Sequence, residues 1–234
     1  MIRIECGDAF KLIKTIEDMS IDMILTDPPY DDESYMQRLT DMQKRQIAKE
    51  FWRVLKIDGN LVMFSGMPDH FKWYNILTET GFKFKRELIW VYKNPCKSKL
   101  RVTKQARMFI MGHESILWFV KTDKYYFNNE GVVELSWFEN PAFSGMRRSA
   151  EGNPQEKLGV TPKPLKIARI LIKRLCKPHG IVFDPFMGFG TFGIASMQLN
   201  RSFIGFEIRP EIYEIAKKRI QNFKNKRITS YMRW

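Results

Sequence analysis

Two short stretches hold the residues best suited to chemistry. The first is Thr26-Asp27-Pro28-Pro29-Tyr30. Each proline fixes its own φ and lacks an N–H donor. Proline also pushes the residue before it into an extended conformation. The result is a rigid arm that offers acceptors, the Asp27 carboxylate and the Pro28 carbonyl, with Tyr30 adding a flat face. Acceptors beside a stacking ring suit an exocyclic amino group on a planar base. Such a nitrogen is a poor nucleophile because its lone pair is delocalised into the ring. Hydrogen bonds to both of its protons favour a more tetrahedral nitrogen, whose lone pair can attack a methyl group. Preorganised acceptors of this kind act through electrostatics rather than as a strong base. Asp27, Pro28, Pro29 and Tyr30 are therefore the candidate catalytic residues.

The second stretch reads FDPFMGFGTFGIA from Phe183 and contains Gly188-Phe189-Gly190-Thr191-Phe192-Gly193, a formal G-x-G-x-x-G. Gly188 and Gly190 permit a tight turn and close approach of backbone to a ligand. A helix opening at Thr191 presents free N–H groups to that ligand. Glu207 ends the next expected strand, where a carboxylate can accept from both hydroxyls of a ribose. A nicotinamide dinucleotide and S-adenosylmethionine (AdoMet) both carry adenosine, and both fit this far. Two features separate them. Asp184 ahead of the glycines opposes a pyrophosphate but suits the amino group and sulfonium of AdoMet. The stretch after Glu207 has room for about one strand and one helix, too little for the second mononucleotide half of a dinucleotide domain.

These residues need strand ends to hold them. Short strands are expected at 2–5, 115–120, 181–183 and 202–206, buried apolar strands at 21–26 and 61–64, and a longer alternating strand at 82–92. Helical spacing of apolar residues is found at 9–16, 35–55, 69–80, 164–175, 191–199 and 210–223. Asp69 is the expected N-cap of its helix, and Gly81 the expected stop. Alternating short strands and helices predict an α/β fold with a mainly parallel sheet. The texture changes over about 93–161, which reads as an insertion, loop-rich at 128–153. Trp137 and Phe138 within it are expected to pack in the core, the alternative being rings that stack on a base or wedge a duplex.

The 234 residues suit one large domain, and 44% are hydrophobic. No apolar run approaches the roughly 18 residues of a membrane span. The opening residues lack the apolar core of a signal peptide. Three scattered cysteines and three scattered histidines support neither a disulfide framework nor a metal site. A cytoplasmic protein is expected. The net charge of +13 favours a polyanionic partner, most simply nucleic acid. Lys93, Lys97, Lys99, Arg101, Lys104 and Arg107 follow one another with no acid between the first and last, as a phosphate-contacting stretch would.

FDPFMGFGT together with TDPPY, in this order, resembles the β class of DNA amino-methyltransferases. In that class the catalytic motif comes first, a target-recognition region next and the AdoMet loop last. The resemblance covers about 1–93 and 161–223. It implies a Rossmann-like methyltransferase fold, with a mixed, mostly parallel seven-stranded sheet flanked by helices and interrupted by the recognition region. It implies AdoMet as cofactor, DNA as partner, a base flipped from the helix, and a bacterial, archaeal or phage source. Asp27, Pro28 and Tyr30 would form the catalytic pocket, with Asp27 also near the methionine end of AdoMet. Phe186, Gly188, Gly190 and Thr191 would line the loop under Asp184, and Glu207 would bind the ribose. Gly7-Asp8-Ala9 resembles the family's N-terminal segment, with Asp8 reaching the adenine. Thr161 and Lys163-Pro164 resemble the element that contacts the cofactor carboxylate. Two departures stand out: Gly159-Val160-Thr161-Pro162-Lys163-Pro164 lacks the family's histidine and glutamine, and Phe189 fills a slot normally held by a small residue. Members with Asp before Pro-Pro-Tyr mostly modify adenine, and those with Ser mostly cytosine, so Asp27 implies N6-methyladenine. N4-methylcytosine, an RNA substrate and a nicotinamide oxidoreductase are the alternatives, and self-association into a homodimer is left open.

Overall fold

A computed structural model describes residues 1–29, 38–93, 112–131, 135–140 and 162–231. Its centre is one sheet. In chain order the strands are β1 (Ile2–Cys6), β2 (Ile21–Thr26), β3 (Leu55–Ser65), β4 (Lys83–Tyr92), β5 (His113–Val120), β6 (Trp137–Asn140), β7 (Ile181–Asp184) and β8 (Ser202–Glu207). They lie side by side as β1-β8-β7-β2-β3-β5-β4-β6. Five of the neighbouring pairs are parallel; β5 runs antiparallel to β3 and β4.

The helices are α1 (Ala9–Leu12), continued by a 3₁₀ turn (Ile13–Thr15), α2 (Asp41–Val54), α3 (Asp69–Thr80), α4 (Leu165–Leu175), α5 (Thr191–Gln198) and α6 (Pro210–Tyr231). Side chains alternate across a strand, so each buried strand feeds two cores. Val62, Phe64, Ile116 and Trp118 pack with Ile167 and Leu171 of α4, Ala195 of α5 and Ile220 of α6. Leu61, Met63, Leu117 and Phe119 pack on the other face with Ile47 and Phe51 of α2 and Trp73 and Ile76 of α3. Helices thus cover both faces, as a mostly parallel sheet requires.

Several expectations change. The sheet has eight strands among the described residues, not seven. The extra strand, β6, pairs with β4 at the edge. Two of the eight strands come from the stretch read as an insertion: β5 is a central strand between β3 and β4. Trp137 is 46% exposed, while Phe138 packs against the core as expected. Helix α2 starts at Asp41 because Thr40 and Gln43 form a reciprocal capping box there. Asp69 is not a cap. Pro68 takes that position, and the Asp69 carboxylate instead faces the ammonium of Lys44, both side chains being buried. Gly81 does stop α3, at φ +110°, where glycine is favoured.

Topology places the site. From β7 the chain continues to β8 on one side, and from β2 to β3 on the other. The sheet order therefore reverses between β7 and β2, and ligands of such sheets bind beyond the carboxyl ends at this point. Asp184 ends β7 and Asp27 follows β2.

Candidate active site

A cavity of about 450 Å³ opens at this switch point, lined by Asp8, Ala9, Asp27, Pro29, Lys163, Asp184, Phe186, Gly188, Thr191 and Glu207 among others. Its size is that of a small-molecule site. The residues come from the ends of four parallel strands, the starts of α1 and α5 and the turn before α4, so stretches far apart in sequence converge on one space.

Asp184, Glu207 and Asp8 each accept from a backbone N–H. Asp184 Oδ1 accepts from Thr26 Oγ1 at 2.9 Å and from the Phe186 N–H at 3.1 Å. This ties the end of β2 to the glycine loop. Burial pushes the Asp184 carboxyl well above the usual range, against the two hydrogen bonds. Glu207 Oε2 accepts from the Gly188 N–H and Oε1 from the Arg209 N–H, each at 2.9 Å. Burial raises its pKa as well, opposed by those donors. Asp8 Oδ1 accepts from the Phe10 N–H at 2.9 Å, capping α1.

The glycines divide their work. Gly188 and Gly190 sit at φ +51° and +73°, in the left-handed region that costs other residues energy. Gly188 faces the cavity. Gly190, expected there too, is not among the lining residues and serves as N-cap of α5. A Cβ on Gly193 would lie 2.9 Å from the Phe203 ring, so this glycine lets α5 sit close on the sheet. Phe189, in the slot of a small residue, is buried, and its carbonyl accepts from Arg219 of α6 at 2.5 Å.

Lys163 lines the cavity as expected of the element it belongs to, and its ammonium is paired with carboxylates of the protein. It lies 3.0 Å from Asp27 Oδ2 and 2.8 Å from Glu114 Oε1. A buried ammonium must be paired, and these acids are the partners within reach. Its Nζ also stands 5.5 Å from the centre of the Phe64 ring. Pro28 is buried and does not line the cavity. Tyr30, Thr161, Lys97, Lys99, Arg101, Lys104 and Arg107 lie outside the described residues.

Sequence reasoning missed Glu114, and also Leu39, Gln43, Ile208 and Arg209 of the lining. Ile208 carried a usable signal: an apolar residue directly after the strand-end acid. It is 57% exposed at the cavity, an apolar face of the kind that covers a planar ring.

The family model for N6/N4 DNA methylases matches residues 21–218, from the start of β2 into α6. The chain belongs to this family. It is a DNA methyltransferase of the N6-adenine/N4-cytosine type. It is 29% identical to the type II methyltransferase M.HpaI of Haemophilus parainfluenzae, over 94% of this chain and 74% of that protein. It is 27% identical to the type II methyltransferase M.HinfI of Haemophilus influenzae, over 93% and 68%. The crystal structure of the M1.HpyAVI–SAM complex superposes with a TM-score of 0.73 at 29% identity, covering 94% of this chain and 99% of that one. PvuII DNA methyltransferase, cytosine-N4-specific, shares the fold, with a TM-score of 0.76 at 20% identity over 96% and 92% of the chains. Among the described residues of this methyltransferase, no helix is long and apolar enough to cross a membrane.

Proposed function

We propose that this methyltransferase transfers a methyl group from AdoMet to the N6 amino group of an adenine flipped out of DNA. The observation that carries this reading is the convergence of Asp27 and the glycine loop on one cavity. The cavity's chemistry fits AdoMet better than a dinucleotide. Acids outnumber cations in its lining, Asp8, Asp27, Asp184, Glu207 and Glu211 against Lys163 and Arg209, a balance that suits a cationic ligand better than a pyrophosphate. Thr191 Oγ1, buried at the start of α5, has no protein hydrogen-bond partner and is a ready contact for a ligand. M1.HpyAVI, the solved relative at 29% identity, is itself a complex with SAM.

Bound there, AdoMet supplies an electrophilic methyl group on a cationic sulfur. Glu207 would hold the ribose, Ile208 would cover the adenine ring, and Asp27 with Asp184 would face the cationic end. The Asp27 carboxylate and Pro28 carbonyl would accept the two N–H bonds of the target amine. A target base buried in a duplex cannot reach the arm, so it must leave the stack. Adenine is favoured because the motif opens with Asp27, the residue mostly found in adenine-modifying members. The basic run through Lys97, Lys99, Arg101, Lys104 and Arg107 would supply phosphate contacts from the recognition region.

Glu207→Ala should weaken AdoMet binding by roughly 1–3 kcal/mol, the scale of lost charge-assisted hydrogen bonds. Glu207→Gln, which keeps an acceptor for the loop N–H groups, should lose less. Calorimetry showing unchanged affinity in Glu207→Ala would remove the residue from the site. The base assignment is tested by methylating unmodified DNA, digesting it to nucleosides and identifying the product by mass spectrometry. N6-methyladenine is expected, and N4-methylcytosine as the main product would refute the choice of adenine.

A further inference from the structure

Gln43 lines the cavity with a side chain that is held at one end. Its Oε1 accepts from the Thr40 N–H at 2.9 Å and from Thr40 Oγ1 at 3.1 Å, and its own N–H donates to Thr40 Oγ1 at 3.2 Å. This is the capping box that opens α2. A glutamine amide has one oxygen and one NH2 group. With the oxygen engaged in the cap, the NH2 is left as a donor, and it has no partner among the described residues.

The neighbours of Gln43 decide what this donor meets. The sheet has two faces, and the cavity draws on both. Phe192 of α5 belongs to one core. Leu39 and Ile47, on either side of Gln43 in sequence, belong to the other, and Phe10 of α1 packs against that core. Gln43 therefore stands on the side of α1, where Asp8 also lines the cavity. Asp8 Oδ1 is taken by the Phe10 N–H, and its Oδ2 has no donor among the described residues. This side thus offers one acceptor and one donor. Adenine carries the matching pair, an amino group with the acceptors N1 and N7 on either side of the carbon that bears it.

We propose that Gln43 is a cofactor-binding residue whose NH2 group donates to N1 or N7 of the adenine of AdoMet, while its oxygen holds the start of α2. This rests on the reading that the cavity holds AdoMet. One side chain then joins the start of α2 to the cofactor's base.

The test is the Kd, by calorimetry, of S-adenosylhomocysteine and of its 1-deaza and 7-deaza analogues, in which a C–H replaces one ring nitrogen. These ligands lack the sulfonium charge, so a carboxylate introduced at position 43 gains no attraction from it. The proteins are wild type, Gln43→Glu and Gln43→Met. Glutamate keeps the capping box but has no NH2 to donate; methionine keeps neither. Thermal unfolding of the ligand-free proteins reads the cap, and should show a lower Tm for Gln43→Met but not for Gln43→Glu. Both variants should weaken S-adenosylhomocysteine roughly fivefold, the scale of one neutral hydrogen bond. The analogue that lacks the accepted nitrogen should bind wild type and Gln43→Met within about twofold of each other, because the contact is already gone. Full affinity in Gln43→Glu would show that the donor is unused, and would overturn the proposal. An equal loss for all three ligands in Gln43→Met would mean that Gln43 acts only through the helix start, and would overturn it too. Either result, with wild type binding S-adenosylhomocysteine, sinks the role of Gln43 alone. A wild type that binds neither AdoMet nor S-adenosylhomocysteine sinks the cofactor reading, and this proposal with it.

Discussion

Asp27→Ala should lower the rate of methyl transfer to DNA by roughly 10²–10³-fold, the range for removing one preorganised electrostatic group at a reacting centre. The carboxylate has a defined place: it follows β2, lines the cavity and is held 3.0 Å from the Lys163 ammonium. A carboxylate fixed in this way accepts a hydrogen bond from the amine without first having to reorganise. Its removal takes away the acceptor and one of the carboxylates that pair with Lys163. The cavity then has one acid fewer, so AdoMet binding should weaken as well. Single-turnover transfer at saturating AdoMet separates the two effects. Asp27→Asn keeps the shape and an acceptor oxygen but not the charge, and should fall between wild type and alanine. Transfer that survives Asp27→Ala at near wild-type rate would overturn the catalytic assignment.

The largest stability effect is expected away from the chemistry. Lys44 of α2 and Asp69 of α3 form an ion pair with side chains 0% and 1% exposed. The Lys44 ammonium also stands 5.8 Å from the centre of the Trp73 ring. Asp69→Ala removes the carboxylate that this buried ammonium faces, and should destabilise the protein by about 3–5 kcal/mol. The double variant Lys44→Met with Asp69→Leu should recover much of that loss, because apolar groups of similar volume often replace a buried pair at little cost. Urea unfolding reads both. A loss below about 1 kcal/mol for Asp69→Ala, the level of a surface pair, would show that the carboxylate is solvated in solution. The pair also bears on the site, since it joins α3 to the helix that carries Gln43, one of the lining residues.

The legible part of the site was the part written at strand ends. Asp27 follows an apolar run closed by two prolines, and Asp184 and Glu207 each end a run of their own. The parallel topology then brings those three ends to one edge. Glu114 was not legible for the same reason in reverse. It opens a strand, and it reaches that edge only because β5 runs antiparallel, which a local pattern does not reveal. Lys163 was read through the element it belongs to, but its partners lie 136 positions upstream at Asp27 and 49 upstream at Glu114 (163 − 27 and 163 − 114). Asp69 shows the limit of local preference: aspartate suits an N-cap, yet here it faces the buried Lys44 ammonium instead. Strand β6 is four residues long, too short for alternation to separate it from the loops around it.

The central claim is methyl transfer from AdoMet to DNA. The most direct measurement supplies the purified protein with AdoMet carrying a labelled methyl group, and offers duplex DNA and RNA of matched sequence in separate reactions. The account predicts label in DNA, resistant to RNase and recovered on a base amino nitrogen, with none in RNA. Label entering RNA instead, or failing to enter DNA from any source of varied sequence while AdoMet binds, would contradict it.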